Sequence, residues 1–464
     1  MRITVQVVIE QDGQNGPELH EVARLDRGEL DDGTIGLQLA EAKQILANVQ
    51  EVMVAEQVQA CLDARVPCPD CGRARRHKDA RTITLRTVFG RLRLQSPRWH
   101  HCPCRLHSTK TFSPLPEILP ERSTPELLYL ESKFAGLVSY GISARLLGEL
   151  LPLGRRLHAT TIRRHAHKTA ERLESERGPE QVMFIDGCQR DWERLPRPEM
   201  PLTVGLDGGY VHASEQPSRR EGWFEVIAGK SIPAEDERAA KCFAFVQTYD
   251  TKPKRRLYEL LTAQGMQANQ QITFLTDGGT DVRELPLYLN PQAEHLIDWF
   301  HITMRLTVLG QISKGLDAEL ARTAAGELER IKWLLWHGNA FRALQMIGDL
   351  KIDLDVEDPT ERQRKLYKAL AEFGHYIDAN AAWIPNYGER YRAGEAICNA
   401  FVESAVNQVL SKRMVKKQQM RWSPRGAHLL LQIRTQVLNE DLAGTFRRWY
   451  PGLMPAVDEQ PLAA

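Results

Sequence analysis

The sequence predicts an α/β fold built on a mixed sheet with helices on its faces. Three apolar segments joined by polar turns, typical of an antiparallel meander, are predicted as strands at 201–212, 222–232 and 241–249. Two strands that each follow a helix come next: helix 254–265, strand 271–277, helix 280–288 and strand 293–300. Because a helix between strands implies a parallel crossover, we expect parallel strands beside the meander. Metal and ligand sites in such sheets tend to lie at strand ends.

The length and composition are those of a globular chain of several domains. Of the 464 residues, 42% are hydrophobic and 26% are charged. No segment approaches the roughly 18–20 apolar residues of a membrane span, and the N-terminus lacks the apolar core of a signal peptide. The eight cysteines are few for this length and half of them are clustered, unlike a secreted disulfide framework. We therefore expect a reducing, cytoplasmic setting.

The net charge of +1 hides an uneven distribution of charge. Residues 1–60, predicted as a strand, an acidic loop and a helix, hold eleven acidic and four basic residues. Residues 61–110 hold twelve Lys or Arg against three Asp, and residues 411–434 hold seven Lys or Arg and no acid. Basic blocks of this kind can bind nucleic acid. The alternative interpretation is that they form ordinary solvated faces.

Four clustered cysteines predict a zinc-ribbon-like module over residues 61–120. They form two close pairs on either side of a predicted hairpin, TITLRTVFGRLRLQSPRW: Cys68 with Cys71, and Cys102 with Cys104. Two such pairs suit tetrahedral zinc, although the second pair is tight and the gap is longer than in most ribbons. Substitute ligands are available at His77, His100, His101 and His107. The alternative is a set of reduced, unligated thiols, and the basic residues nearby would contact phosphates.

The segment 121–178 predicts a helix-turn-helix-like module. The turn contains Pro152 and Gly154, and the second helix is predicted to begin near Thr160 or Thr161. A helix-turn-helix protein places the start of its second helix in the major groove of DNA. The basic residues in that position are Arg163, Arg164, His165, His167 and Lys168, of which we predict that Arg163, Arg164 and Lys168 bind DNA. An ordinary amphipathic helix pair is the alternative.

Three acidic residues carry the strongest chemical signal. Asp207 in LTVGLDGGY and Asp277 in QITFLTDGG each follow an apolar run and precede two glycines, and Glu403 opens a helical stretch. Magnesium prefers oxygen ligands, and in two-metal phosphoryl transfer carboxylates hold two ions about 3.5–4 Å apart. The two Asp residues would converge if their strands are neighbours, with Glu403 reaching them from a packed helix. The alternative is that each Asp-Gly pair marks a common turn.

Other acidic residues compete for these roles. Asp186 in VMFIDGC is a rival for the first carboxylate and Asp281 for the second. Asp298 and His301, in HLIDWFHITMR, lie at or just beyond the last strand. They could bind metal at the edge of the site, hydrogen-bond DNA, or form a polar pair that orders the strand end.

The segment after Glu403 is strongly basic. Four cations on this helix or just past it could hold the scissile strand over the metals: Lys412, Arg413, Lys416 and Lys417. Arg421, Trp422 and Arg425 combine an aromatic ring with cations, which suits a DNA backbone or a flipped base. Trp422 could instead belong to the hydrophobic core.

Several long strings resemble a known family. They are VGLDGGYV, FEVIAGKSIP, FLTDGG, LNPQAEHLIDWFHITMR, KWLLWHGNAF, IPNYGERYR and FVESAVNQVLSKRMVKKQQMRWSPRGAHLLLQIRT. They resemble the bacterial insertion-sequence transposases of the ISKra group, DDE-type enzymes with an RNase H-like core. The resemblance implies that Asp207, Asp277 and Glu403 form the metal-binding triad, and the strand order favours Asp207 over Asp186.

The resemblance also implies a domain arrangement and an activity. The RNase H-like core would occupy 179–301 and 399–464, with an all-helical insertion at 302–398. The implied activity is binding of transposon inverted repeats followed by strand cleavage and transfer with two Mg²⁺ ions, for which Mn²⁺ can substitute. We also expect structural Zn²⁺, a target DNA as a second substrate, and a homodimer or larger oligomer on DNA. The expected location is the nucleoid, with no membrane partner. Two rival functions remain: a domesticated DNA-binding regulator, and a nuclease without strand transfer.

Overall fold

The computed structural model places most of the chain. It describes residues 1–10, 16–104, 111–154, 157–198, 200–214, 222–233, 239–398, 400–415 and 421–453, and the side chains at 280, 281, 400, 401 and 403 lie outside that description. The chain divides into two compact units. The first comprises Met1–Thr169 with Glu440–Ala464, and the second comprises Ala170–Asn439.

The first unit opens with an antiparallel hairpin and a long helix. Strand β1 (Arg2–Ile9) pairs with β2 (Glu18–Asp26), and helix α1 (Leu39–Asp63) follows. The prediction of an acidic loop is therefore wrong over 18–26. The segment ELHEVARLD alternates in polarity, and its pairing with β1 outweighs its acidic content, which the Arg2–Asp26 ion pair partly offsets.

A second hairpin carries the cysteine-rich region. Strand β3 (His77–Thr87) pairs with β4 (Gly90–His100), and the short β5 (Thr111–Phe112) pairs with the end of β4. Alternate residues of β3 and β4 face inward and pack on α1 and on helix α2 (Pro114–Ile118). The inward residues of the hairpin are Ile83, Leu85, Leu92 and Leu94.

Three helices follow: α3 (Pro125–Leu137), α4 (Tyr140–Leu150) and α5 (Ala159–Glu176). Ser139 caps α4 by accepting a hydrogen bond from the Ile142 N–H. The C-terminal helix, Leu442–Trp449, packs on α3, where the rings of Tyr129 and Phe446 lie 5.5 Å apart. The second unit begins within α5, at Ala170.

The second unit contains the predicted mixed sheet. Its elements are α6 (Gln189–Trp192), β6 (Leu202–His212), β7 (Trp223–Pro233), β8 (Lys241–Val246), α7 (Pro253–Ala263), β9 (Ile272–Thr276), α8 (Thr280–Arg283) and β10 (Ala293–Ile297). The strand order is β10-β9-β6-β7-β8. Strands β6, β7 and β8 form an antiparallel meander, whereas β9 runs parallel to β6 and β10 runs parallel to β9. The predicted α/β architecture is confirmed.

A helical region follows the last strand. It comprises α9 (Trp299–Ser313), α10 (Ala318–Trp336), α11 (Ala340–Leu354), α12 (Glu361–Asn380) and α13 (Tyr387–Arg392), which share one hydrophobic core. Polar contacts fix this core to β10. The Tyr387 hydroxyl donates to the Ile297 carbonyl at 2.8 Å, and Arg390 donates two hydrogen bonds to Glu294.

The chain then returns to the sheet through α14 (Ala400–Val406), which continues as a π-helix over Asn407–Val415, and ends this unit with α15 (Pro424–Leu438). We predicted a single helix here, and the π-helical half is a departure from it. The buried Arg434 of α15 donates to the carbonyl oxygens of Gln408 and Val409 at 3.1 and 2.8 Å. Such a long-range partner stabilises the wider turn and is invisible to local periodicity. Within the described residues, no helix has the length and apolar character needed to cross a membrane.

Candidate active site

The strand register brings three aspartates to one edge of the sheet. The parallel pairing of β6 with β9 ends where Gly205 lies opposite Leu275, so two further residues bring Asp207 level with Asp277. The pairing of β10 with β9 ends where Ile297 lies opposite Thr276, and one further residue brings Asp298 to the same level. Three adjacent parallel strands thus carry one aspartate each at the same level, Asp277 and Asp298 just after β9 and β10 and Asp207 within β6. We call this set, Asp207, Asp277 and Asp298, the acidic edge.

Asp207 lies inside a strand rather than at its end. Strand β6 continues to His212, and Asp207 lies opposite Ala228 of β7. Only the parallel pairing with β9 stops before Asp207, which corrects the prediction of a strand end. The side chain is half-buried, and its Oδ1 accepts the Gly208 N–H at 2.8 Å.

Asp277 lies in a tight turn just after β9. Its Oδ1 accepts the Gly279 N–H at 2.9 Å, and its carbonyl oxygen accepts the Tyr376 hydroxyl at 3.0 Å. Gly278 has a φ of +87°, and a Cβ there would lie 2.7 Å from the Asn380 Oδ1. The turn therefore requires glycine and is covered by the end of α12.

Tyr376 links the helical region to the acidic edge. The Arg305 guanidinium lies 4.1 Å from the centre of its ring. Burial raises the pKa of Tyr376 well above its usual range, the nearby Arg305 lowers it, and the charges of Asp277 and Asp298 raise it further. The hydroxyl therefore remains a proton donor and holds the Asp277 backbone.

Asp298 and His301 lie just beyond the end of β10. Asp298 is completely buried, its N–H donates to the Thr276 carbonyl, and its Oδ1 caps α9 through the Phe300 N–H at 2.9 Å. The His301 Nε2 lies 3.7 Å from the Asp298 Oδ2. This separation is longer than a hydrogen bond, so the cap on α9 is the role that the geometry supports for Asp298, and the role of His301 stays a prediction.

Glu403 lies on α14, and its side chain is outside the described residues. The end of α14 and the π-helix pack on β6. A Cβ at Gly209 would lie 2.3 Å from Leu410 Cδ2 and 3.8 Å from Val406 Cγ1. Gly209 and Asp207 share a face of β6 because strand side chains alternate. The helix of Glu403 thus covers the face that carries Asp207.

The described side chains do not by themselves form a compact metal cage here. Asp207 and Asp277 belong to no described group of three His, Cys, Asp or Glu residues whose ligand atoms all lie within 4.8 Å of one another. The rival Asp186 is exposed and lies outside the strands, with its Oδ1 accepting the Gly187 N–H. The rival Asp281 lies on α8, and its side chain is outside the described part.

The four predicted cysteine ligands do come together. Their Sγ atoms all lie within 4.8 Å of one another, with Cys68 3.5 Å from Cys104 and Cys71 3.4 Å from Cys102. Zinc–sulfur bonds of about 2.3 Å place the sulfurs of a tetrahedral site about 3.8 Å apart, close to these distances. The cluster can therefore hold a metal ion. Among the described histidines, none of the substitutes joins this group, and His107 lies outside the description.

Local hydrogen bonds prepare these thiols for metal binding. A hydrogen bond from the Cys71 backbone, followed by bonds from the other thiols, lowers the pKa of Cys68 to about 7. The backbone of Cys104 likewise lowers the pKa of Cys102. Hydrogen bonding to Cys102 and the other thiols raises the pKa of Cys104 to about 12. Thiolates are the ligand form, so the lowered pKa values of Cys68 and Cys102 favour the metal-binding form of these two sulfurs.

A second group of potential ligands is occupied by an arginine. Glu174, Asp250 and His428 lie within ligand distance of one another, but the buried Arg256 fills the space between them. Its Nε donates to Asp250 at 2.8 Å, and its two Nη atoms donate to Glu174 at 2.9 and 2.8 Å. We call these four residues the Arg256 cluster. It joins the end of α5, α7 and α15, and sequence patterns gave no sign of it because its members are far apart in the chain.

Charge neutralisation dominates the Arg256 cluster. Burial alone would raise the pKa of Glu174, but hydrogen bonds from His428 and Arg256 hold it far below its usual range. Burial likewise opposes the charge of Arg256, yet Glu174 and Asp250 raise its pKa. The cluster is therefore a buried ion-pair network.

The predicted DNA-binding residues of α5 differ in exposure. Arg163 and Arg164 are exposed, and Lys168 is exposed but pairs with Glu121. His165 is buried and contacts the buried carboxylate of Glu131, so it belongs to the core. Residues 151–158 join α4 to α5, a longer connection than the three or four residues usual in a helix-turn-helix.

The basic segment after Glu403 is partly inside the protein. Lys412, Arg421 and Arg425 are exposed, and Arg425 pairs with Glu171. Arg413 and Trp422 are buried, with the guanidinium 5.5 Å from the centre of the indole. Neighbouring helical positions face different directions, which explains why Lys412 is outside and Arg413 inside. The structure thus favours the core interpretation of Trp422 and withdraws Arg413 from the surface, while Lys416 and Lys417 lie outside the described residues.

No protein-family model matches this chain, and no curated protein matches it as a relative.

Proposed function

We propose that the chain is a metal-dependent DNA strand-transfer enzyme of the DDE transposase class, built on an RNase H-like core. The observation that carries the proposal is the common level of Asp207 and Asp277 on the parallel strands β6 and β9. The helix of Glu403 packs on the same face of β6, as the contacts at Gly209 indicate. The strand order, a meander flanked by two parallel strands, supports the proposed core.

In this proposal Asp207, Asp277 and Glu403 hold two Mg²⁺ ions, or Mn²⁺ in their place. Bound there, the ions would activate the attacking oxygen and stabilise the leaving oxygen of a phosphodiester. The role of the protein side chains and backbone is to hold the metal ligands in position. Hydrogen bonds from Gly208 and Gly279 orient the two aspartates, and Tyr376 fixes the Asp277 backbone.

The reaction consists of two in-line displacements at phosphorus. Water attacks a phosphodiester at the transposon end, and the bond to the bridging 3′ oxygen breaks, leaving a 3′-hydroxyl. That hydroxyl attacks a phosphodiester of target DNA, forming a new bond and releasing a strand of the target. The first step hydrolyses one phosphodiester bond, and the second replaces one phosphodiester bond with another. Neither step requires a covalent protein intermediate or a redox partner.

The remaining modules would bind the DNA. We propose that the four clustered cysteines hold structural Zn²⁺ and that the exposed Arg163 and Arg164 contact transposon ends. The exposed Lys412, Arg421 and Arg425 of the second unit would contact the DNA backbone. A homodimer or larger oligomer would pair two ends.

The test is a cleavage and joining assay with Mg²⁺, labelled element ends and a target plasmid. We expect Asp207→Asn, Asp277→Asn and Glu403→Gln each to lower cleavage by at least about 10²-fold, the scale of losing an electrostatic catalytic group, while end binding persists. The matched controls are Asp186→Asn and Asp281→Asn, which should cleave normally.

The products distinguish the rival functions. Joined DNA supports transposition, nicks alone support a nuclease without strand transfer, and binding without either supports a regulator. Loss of cleavage in Asp186→Asn with normal cleavage in Asp207→Asn would replace the first acid of the triad.

A further inference from the structure

A cavity in the first unit is lined by two arginines that face each other across a hairpin. Arg86 of β3 lies directly opposite Arg91 of β4. Both line a cavity of about 180 Å³, several times the roughly 30 Å³ that a water molecule occupies in the liquid. The cavity is therefore large enough for a polyatomic anion.

The two arginines are on the outward face of the hairpin. The inward face is formed by Leu85 and Leu92, which lie opposite each other and are buried. Strand alternation places Arg86, Arg91 and the next outward residue of β4, Arg93, on the other face. Like charges directly opposite each other destabilise a sheet. Arg86 is half-buried and Arg91 is exposed, and an anion bound between them would offset their repulsion.

The protein does not supply that anion in its described part. Elsewhere on the same hairpin, Arg98 is paired with Asp79. For Arg86, Arg91 and Arg93, the described residues provide no carboxylate within 4.0 Å, unlike Arg27, which pairs with Glu41.

The other walls of the cavity combine polar side chains with three leucines, Leu127, Leu153 and Leu157. His158 and Thr161, at the beginning of α5, line the cavity together with Thr87 of the hairpin turn. The Arg86 backbone is fixed on both sides, since its N–H donates to the Arg122 carbonyl and its carbonyl accepts the Thr124 N–H at 2.8 Å. The His158 imidazole and the Thr161 hydroxyl can donate to an oxyanion, whereas the Thr87 hydroxyl already donates to the Gly90 carbonyl at 3.2 Å.

We propose that this cavity binds a phosphate of the DNA backbone, and that it thereby fixes the zinc-bearing hairpin and the start of α5 on the same strand. This inference rests on the proposed DNA substrate. In this site, Arg86 and Arg91 hold one phosphate, and His158 and Thr161 complete its coordination. The basic composition of the region alone does not specify this contact.

The test compares Arg91→Gln and Arg86→Gln in the full chain with a matched control, Arg81→Gln. Arg81 is exposed on the same strand as Arg86, lies opposite Ser96 and does not line the cavity. Binding to a short labelled duplex is measured between about 50 and 200 mM salt. We expect each cavity variant to reduce the slope of log affinity against log salt by about 0.9, the value for one phosphate contact. Arg81→Gln should keep the slope of the wild type.

Thermal unfolding without DNA provides a second readout. Because removing one arginine relieves the repulsion, Arg91→Gln should unfold at the wild-type temperature or above it. A lower unfolding temperature together with an unchanged salt slope would show a purely structural role and overturn the proposal.

A titration with inorganic phosphate distinguishes the source of the anion. One outcome is that millimolar phosphate stabilises the wild type but not Arg91→Gln, while the two proteins keep the same salt slope for duplex binding. That result would overturn the assignment to DNA in favour of a free phosphate ligand. Failure of the wild type to bind duplex at all would overturn the proposed function. Duplex binding with equal slopes in Arg81→Gln, Arg91→Gln and the wild type would overturn this site alone.

Discussion

Carboxylates cluster at two sites in the second unit, and a buried cation neutralises their negative charge at one of them. At the Arg256 cluster, Glu174 and Asp250 surround a buried guanidinium that donates to both. At the acidic edge, Asp207 and Asp277 accept hydrogen bonds from backbone N–H groups of the glycines that follow them. Backbone donors orient a carboxylate without cancelling its charge. The first arrangement is suited to stability and the second to binding a cation.

The largest effect on stability is expected at the Arg256 cluster. Arg256→Gln removes the only cation paired with the buried Asp250 carboxylate in the described structure and leaves Glu174 with Arg177 at 3.7 Å, which should cost about 3–5 kcal/mol of unfolding free energy. Chemical denaturation measures this. The control is Arg330→Gln, whose exposed pair with Glu327 should contribute less than about 1 kcal/mol. A loss below about 1 kcal/mol for Arg256→Gln would mean that the cluster is not an ion-pair network.

The second-largest expected effect is the dependence of stability on acidic pH, which should differ between the two sites. His295 lies on β10, near the acidic edge, and burial together with Arg283 lowers its pKa to about 4. The unfolded chain therefore binds more protons than the folded one between about pH 4 and 6.5, so stability falls as pH is lowered through this window. The loss is about 1.4 kcal/mol per pH unit, up to about 3 kcal/mol.

Denaturation curves of the wild type and His295→Gln over this pH range test the effect, since the variant should lose most of the slope. The Arg256 cluster should behave differently. The folded-state pKa of Glu174 is depressed, so its stabilising contribution is complete above its unfolded pKa and is lost progressively as pH falls from there through its low folded pKa. Identical pH slopes in the wild type and in His295→Gln would refute the assignment.

The smallest effect on stability is expected from Tyr376→Phe. This substitution removes the hydrogen bond to the Asp277 carbonyl and should cost about 1 kcal/mol. Cleavage should fall more than this loss of stability explains, because the Asp277 backbone loses a fixed position. The matched control, Tyr367→Phe, changes a more exposed tyrosine on the same helix. Equal cleavage by the two variants would show that Tyr376 does not position the acidic edge.

The comparison also shows what sequence can reveal. Local periodicity was sufficient for the meander and for α7, and the spacing of the cysteines was sufficient for their cluster. The predicted helix 280–288 is wrong over most of its length, since α8 ends at Arg283. The Arg256 cluster joins Glu174, Asp250 and His428, whose proximity arises only in the folded state. The burial of Arg413 and the π-helix held by Arg434 depend in the same way on tertiary contacts.

The position of Asp207 illustrates a finer limit. The apolar run before it resembles a strand that ends, but β6 continues because β7 pairs along its whole length. Only the shorter partner, β9, ends at this level. The sequence singled out Asp207 as a candidate ligand but placed it at a strand end. The unequal lengths of its two neighbouring strands explain its actual position.

The most direct test of the central claim is Mn²⁺ binding to the acidic edge, measured by electron paramagnetic resonance with duplex DNA present. We expect the wild type and Asp186→Asn to bind Mn²⁺ alike. Asp207→Asn and Asp277→Asn should each lose this binding while unfolding within about 1 kcal/mol of the wild type, as expected for residues outside a buried ion-pair network. Undiminished Mn²⁺ binding by both variants would contradict the claim that these two aspartates share a metal site.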